Sequence, residues 1–147
     1  MAEIRKLFDA RQDLTITLNS LAAGAGRQSD FESNADARPA AHIGVEIDPG
    51  TAPTADTIYT IYLLRENGDI SDDNVGTSDA AYTPINAQIL GTLRNPGNGN
   101  IVAGIFDTAF LGPLGDSWGI AVVNETNQAL AASGNKANFE YYVPEIV

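Results

Sequence analysis

Residues 40–48 read Ala-Ala-His-Ile-Gly-Val-Glu-Ile-Asp. Ile43, Val45 and Ile47 fall on one face, and His42, Gly44 and Glu46 on the other. That is the two-residue period of a half-buried strand. Pro49-Gly50 ends it with turn chemistry. The same period lies to either side. Leu14, Ile16 and Leu18 alternate with Thr15, Thr17 and Asn19. Residues 57–64, TIYTIYLL, carry apolar or aromatic side chains on both faces, which predicts a strand central in its sheet.

Further along, Asn67-Gly68 predicts a tight turn. Residues 85–94 and 101–106 flank Asn95-Pro96-Gly97-Asn98-Gly99-Asn100, and this spacing predicts a hairpin. Residues 117–124 place Trp118, Ile120 and Val122 on one face. Residues 136–143 do the same with Phe139, Tyr141 and Val143. Residues 27–39 predict a loop or short edge strand, and 129–131 a further short strand. Seven to eight strands with almost no helix predict an all-β fold, an antiparallel β-sandwich of jelly-roll-like type.

The first twelve residues break the pattern. In residues 2–11, Ile4, Leu7 and Phe8 fall at i, i+3 and i+4, one face of a helix. Ten residues are too few for an isolated helix, so the segment needs a surface to pack on. The chain therefore divides into an arm at 1–12, a short amphipathic helix or an extended segment, and a sandwich at 13–147. Arg5, Lys6 and Arg11 give the arm three of the chain's eight cations. Two readings stand side by side. Ile4, Arg5, Lys6, Leu7, Phe8 and Arg11 form a partner-binding element drawn to acidic neighbours, or the arm folds against the edge of its own sandwich.

Composition removes several kinds of chemistry. The 147 residues match a single domain able to bury a core. There is no cysteine, so disulfides, thiolate metal sites and thiol nucleophiles are excluded. A net charge of −11 argues against a nucleic-acid partner. No apolar run reaches the length of a membrane span, and Asp9, Arg11, Gln12 and Asp13 interrupt any signal-peptide core. His42 is the one histidine and reads as a strand residue with a hydrogen bond, since no G-x-S-x-G context accompanies it. Asp69, Asp72 and Asp73 raise calcium as an option, but their spacing is not that of an EF-hand and reads as a solvated hairpin loop. Gly24-Ala25-Gly26 lacks the following helix that a phosphate loop requires. Trp118, Tyr59, Tyr62, Tyr141 and Tyr142 read as core, and Tyr82 as the exposed tyrosine. The expectation is a binding protein, neither an enzyme nor a holder of a cofactor or metal.

Two blocks carry a resemblance: Leu14-Thr15-Ile16-Thr17-Leu18-Asn19-Ser20-Leu21-Ala22 with Gly26-Arg27-Gln28-Ser29, and Trp118-Gly119-Ile120-Ala121-Val122-Val123-Asn124-Glu125-Thr126 with Ala129-Leu130. In these the chain resembles small jelly-roll or sandwich proteins encoded beside the capsid genes of tailed bacteriophages. The resemblance implies a decoration, or cement, protein on the exterior of the virion, made in the host cytoplasm. It implies the major capsid protein as partner and a homo-oligomer, a trimer first among the options. It supplies no catalytic residues, and the basic arm departs from it. A carbohydrate- or receptor-binding module of a fibre or tail is the alternative, and a carboxylate hydrolase the third.

Overall fold

The computed structural model describes residues 2–147. Alternation translates into twelve strands: β1 (Ile4–Phe8), β2 (Gln12–Leu14), β3 (Gly26–Gln28), β4 (Glu32–Ser33), β5 (Ala40–Ile47), β6 (Ile58–Asn67), β7 (Ile70–Ser71), β8 (Ala80–Tyr82), β9 (Gln88–Arg94), β10 (Val102–Asp107), β11 (Ser117–Asn124) and β12 (Lys136–Ile146). Among the described residues, two single turns of 3-10 helix interrupt them, at Asp72–Asn74 and Thr108–Leu111.

All strand pairings are antiparallel, and they sort the strands into two sheets. In the first, β1 and β2 share one edge of β12, and the order continues through β5 to β10. In the second, β7 and β9 share one edge of β6, β11 follows, then β3 and β4, with β8 outermost on β3. Merging strands that share an edge leaves four positions in the first sheet and, with the short β8 set aside as an added outer strand, four in the second. Along the chain those positions alternate between sheets, except that β6 and β9 are neighbours. That winding is a jelly roll.

The inward faces meet in one core. Ile43, Val45 and Ile47 of β5 lie against Ile61 and Leu63 of β6 and Trp118, Ile120 and Val122 of β11. At its centre the fully buried Trp118 ring meets Phe139 edge-on at 5.1 Å. Its indole N–H donates to the Tyr141 hydroxyl at 2.8 Å, and that hydroxyl donates to the Ser33 carbonyl at 3.3 Å. One aromatic group thus ties the two sheets together, with the Trp118 N–H and the Tyr141 hydroxyl both partnered.

The two outer faces differ. On the second sheet, Leu64, Tyr82, Ala121 and Val123 form a second apolar cluster, with Phe31, Tyr62, Val75 and Ala87 packed against it as a cover. Asp73 pins that cover: its carboxylate accepts from the Tyr82 hydroxyl at 2.6 Å and from the amides of Ile85, Asn86 and Ala87. Partial burial opposes its ionisation, but these donors outweigh it and hold the carboxyl below its ordinary range. Among the described residues no second cluster of this kind packs on the outer face of the first sheet.

Several expectations are corrected. Of the two forms expected for the arm, helix or extended segment, residues 4–8 take the extended one as a strand, because the free edge of β12 offers a ladder that a ten-residue helix cannot match. The arm is therefore part of the first sheet. The strand expected from Leu14 to Leu18 stops at Leu14, where the chain crosses between sheets with Leu18 buried in the core. β9 and β10 are not a hairpin, since β9 pairs with β6 and β10 with β5. Their faces close against each other instead, and a Cβ on Gly91 would sit 2.3 Å from the Phe106 ring, so only glycine fits. Tyr82 is buried, not exposed. Residues 129–131 form no strand, though Leu130 is buried.

Replacing Trp118 with alanine empties the centre of the core. The expected cost is about 3–5 kcal/mol of unfolding free energy, measured by urea denaturation followed by circular dichroism.

Candidate interaction surface at the terminal ribbon

β12 is longer than its neighbours. Lys136–Tyr142 pair with β5, but Val143–Ile146 pair only with β1. Ile4–Phe8 and Tyr142–Ile146 therefore form a two-stranded ribbon running past the end of the sandwich. Glu3 and Val147 exchange backbone bonds at 2.9 and 2.8 Å, and the Asp9 amide donates to the Tyr141 carbonyl at 2.8 Å. Strand geometry then turns the backbone groups of Arg5 and Leu7 toward β12 and those of Ile4, Lys6 and Phe8 away from it. Among the described residues no strand takes up the second set. Between Phe8, opposite Tyr142, and Gln12, opposite Phe139, four steps on one strand face three on the other. That bulge ends the ribbon's pairing.

Side chains follow the pleat. Ile4, Lys6 and Phe8 share the outer face with Tyr142, Pro144 and Ile146, while Arg5 and Leu7 share the other with Val143 and Glu145. Ile4 is 71% exposed and Ile146 74%. Ile4, Pro144, Pro39, Ala40, Ala109 and Pro113 line an apolar groove of about 510 Å³ at the ribbon's base. Phe110, next to Ala109, is 90% exposed. Uncovered apolar surface gathered in one place marks a contact site.

A polar clamp holds the ribbon to the sheet. Lys6 Nζ donates to Asp107 Oδ2 at 2.7 Å, and the Tyr142 hydroxyl and the Ala109 amide donate to Oδ1 at 2.6 and 3.0 Å. Lys6 Nζ also lies 4.5 Å from the centre of the Tyr142 ring. His42 Nε2 sits 3.5 Å from Asp107 Oδ2 and 3.4 Å from Lys6 Nζ, with the Phe8 ring 4.8 Å away. Partial burial works against a charged Asp107, but the Lys6, Tyr142 and Ala109 donors prevail and lower its pKa to about 2. Lys6 is raised by its hydrogen bond to the same carboxylate. His42 thus sits in a clamp whose members serve one another.

The six sequence candidates separate. Ile4, Lys6 and Phe8 occupy one face of the ribbon, and Arg5 and Leu7 the other. Arg11 lies in the bulge, beside His42 and Glu140 in a shallow depression of about 620 Å³ on the outer face of the first sheet. The arm's charge does not lie open as expected. Arg5 pairs with Glu145 at 3.1 Å and Lys6 with Asp107. Asp107, Tyr142, Ile146 and Phe110 escaped the sequence reading. Pro144 carried a usable signal, because proline inside a strand marks an edge position; Phe110 carried none. Of the candidate calcium residues, Asp72 accepts from the Arg65 amide and Asp73 holds the loop cover. Among the described residues no three His, Asp or Glu side chains converge as metal ligands would.

No protein-family model matches the sequence, and no curated protein matches it.

The clamp gives stability a pH signature. The folded pKa of Asp107, about 2, lies below the unfolded value of about 3.9. Its contribution is complete above that value and is lost as pH falls toward 2. Asp107→Asn is expected to cost roughly 1–3 kcal/mol near neutral pH. It should also flatten the fall in stability between about pH 5 and 2, measured by urea titrations of both chains.

Proposed function

We propose that this protein is a capsid decoration (cement) protein of a tailed bacteriophage, bound to the outside of the head and bridging major capsid subunits. The terminal ribbon carries the reading. It offers apolar side chains on both faces, an apolar groove at its base and Phe110 beside that groove. Such a feature suits docking on another protein better than it suits turnover of a small molecule.

Other observations support the same choice. A jelly roll without disulfides needs no slow oxidation step before assembly. Trp118 and four of the five tyrosines are used inside: Tyr59, Tyr82, Tyr141 and Tyr142 are buried with it. Copies on a lattice gain by avidity, so each contact can be modest in area. The capsid subunit is the partner in this reading, and Ile4, Phe8 and Ile146 are its anchors.

Co-sedimentation with expanded heads, built from the major capsid protein encoded with this chain, tests the reading. The unaltered protein is expected to pellet with the heads. Changing Ile4 and Ile146 together to aspartate should weaken binding by at least about ten-fold without unfolding the chain, since neither side chain is buried. Equal binding by that variant, or none by the unaltered chain, would remove the reading.

A further inference from the structure

The edge of β1 carries information separate from its faces. Ile4, Lys6 and Phe8 aim their amide and carbonyl groups away from β12, in the spacing that an added antiparallel strand would satisfy. Two strands alone are marginal in water, so the ribbon gains from a third. β10, at the opposite edge of the sheet, closes against β9 through Phe106 and Gly91.

We propose that the strand added to β1 is β1 of a second copy, related by a two-fold axis at Leu7, giving one continuous sheet across a dimer. The sequence around Leu7 favours this occupant. Arg5 and Asp9 stand two residues to either side, and Lys6 and Phe8 one residue to either side. With the axis at Leu7, Leu7 meets Leu7, Arg5 meets Asp9, and Lys6 meets Phe8, so no like charges are set directly opposite each other. Moving the axis to Lys6 sets lysine against lysine. Moving it to Arg5 sets arginine against arginine. Like charges directly opposite destabilise a strand pair. An axis at Ile4 or Phe8 sets most of Ile4–Phe8 opposite residues outside the strand, so the Leu7 register is the one that meets both conditions.

The chain's net charge does not oppose contact there. Arg5–Glu145, Lys6–Asp107 and Arg38–Asp9 neutralise the ribbon and its surroundings locally. The bulge after Asp9 limits the new ladder to the residues nearest Leu7. The dimer uses the ribbon's edge and leaves the outer-face anchors of the proposed capsid contact free. It does not depend on that reading, but with it each dimer would bind a lattice through two sites.

The mass of the purified full chain in solution, with cysteine cross-linking, decides the matter. Light scattering is expected to give twice the 15.5 kDa chain mass. The chain has no cysteine, so Leu7→Cys introduces a single thiol. Directly opposed residues of a non-hydrogen-bonded pair lie about 4.5 Å apart between Cα atoms, within disulfide reach. Leu7→Cys should therefore oxidise readily to a covalent dimer, while Phe110→Cys, more exposed, should not. Lys6→Pro removes an outward amide and should give single chains, whereas Lys6→Arg, which keeps the amide and the charge facing Asp107, should remain dimeric. A single-chain or trimeric mass for the unaltered protein would overturn the proposal. So would a dimer in which Leu7→Cys cross-links no faster than Phe110→Cys. Failure of the dimer would leave head co-sedimentation unaffected, and failure of co-sedimentation would leave the dimer standing.

Discussion

Trp118 of one sheet packs on Phe139 of the other and hydrogen-bonds to Tyr141, and the rest of the molecule is organised around that meeting. Phe139 and Tyr141 both belong to β12, so the core fixes β12 in place and in register. A one-residue slip would turn Phe139 and Tyr141 outward and Glu140 and Tyr142 inward. With the register set, Tyr142 must face out under Lys6 and Phe8. The remaining residues of β12 must then run past the end of β5. The exposed ribbon is thus a consequence of core packing, with β1 joined to a strand that the core already holds.

The clamp converts that geometry into a firm attachment. Asp107 comes from β10, His42 from β5, Tyr142 from β12 and Lys6 from β1, so one carboxylate links the whole width of the first sheet. The second sheet uses a similar device on its outer face, where Asp73 gathers Tyr82 and three consecutive amides. The difference lies in what each device does. Asp73 seals an apolar cluster away from water, while Asp107 anchors a strand whose own apolar side chains stay exposed. A domain that closes one face and leaves an edge open is suited to contact with other proteins.

Much of the fold was legible in the sequence because the strands of the core alternate cleanly. Ile43, Val45 and Ile47 face the core, as do Trp118, Ile120 and Val122, and Phe139 and Tyr141. The N-terminal segment was not legible, because its residues satisfy two periods at once. Ile4, Leu7 and Phe8 share a helical face, and Ile4, Lys6 and Phe8 share a strand face. The choice between them is made by β12, nearly the whole chain away, and local propensity does not see it. The apparent β9–β10 hairpin failed for a related reason: its turn was real, but it carries the chain from one sheet to the other. The candidate site was half visible. Ile4 to Phe8 stood out by charge and position, whereas Asp107 and Tyr142 have no sequence mark of being clamp partners.

Nuclear magnetic resonance of the full chain would test the central claim most directly, through contacts between the two ends of the sequence. The expected spectrum links Ile4 to Ile146 and Phe8 to Tyr142 across the ribbon, with the Trp118 indole close to the Phe139 ring. Helical chemical shifts for residues 3–9, with no contact to residues 142–147, would contradict it.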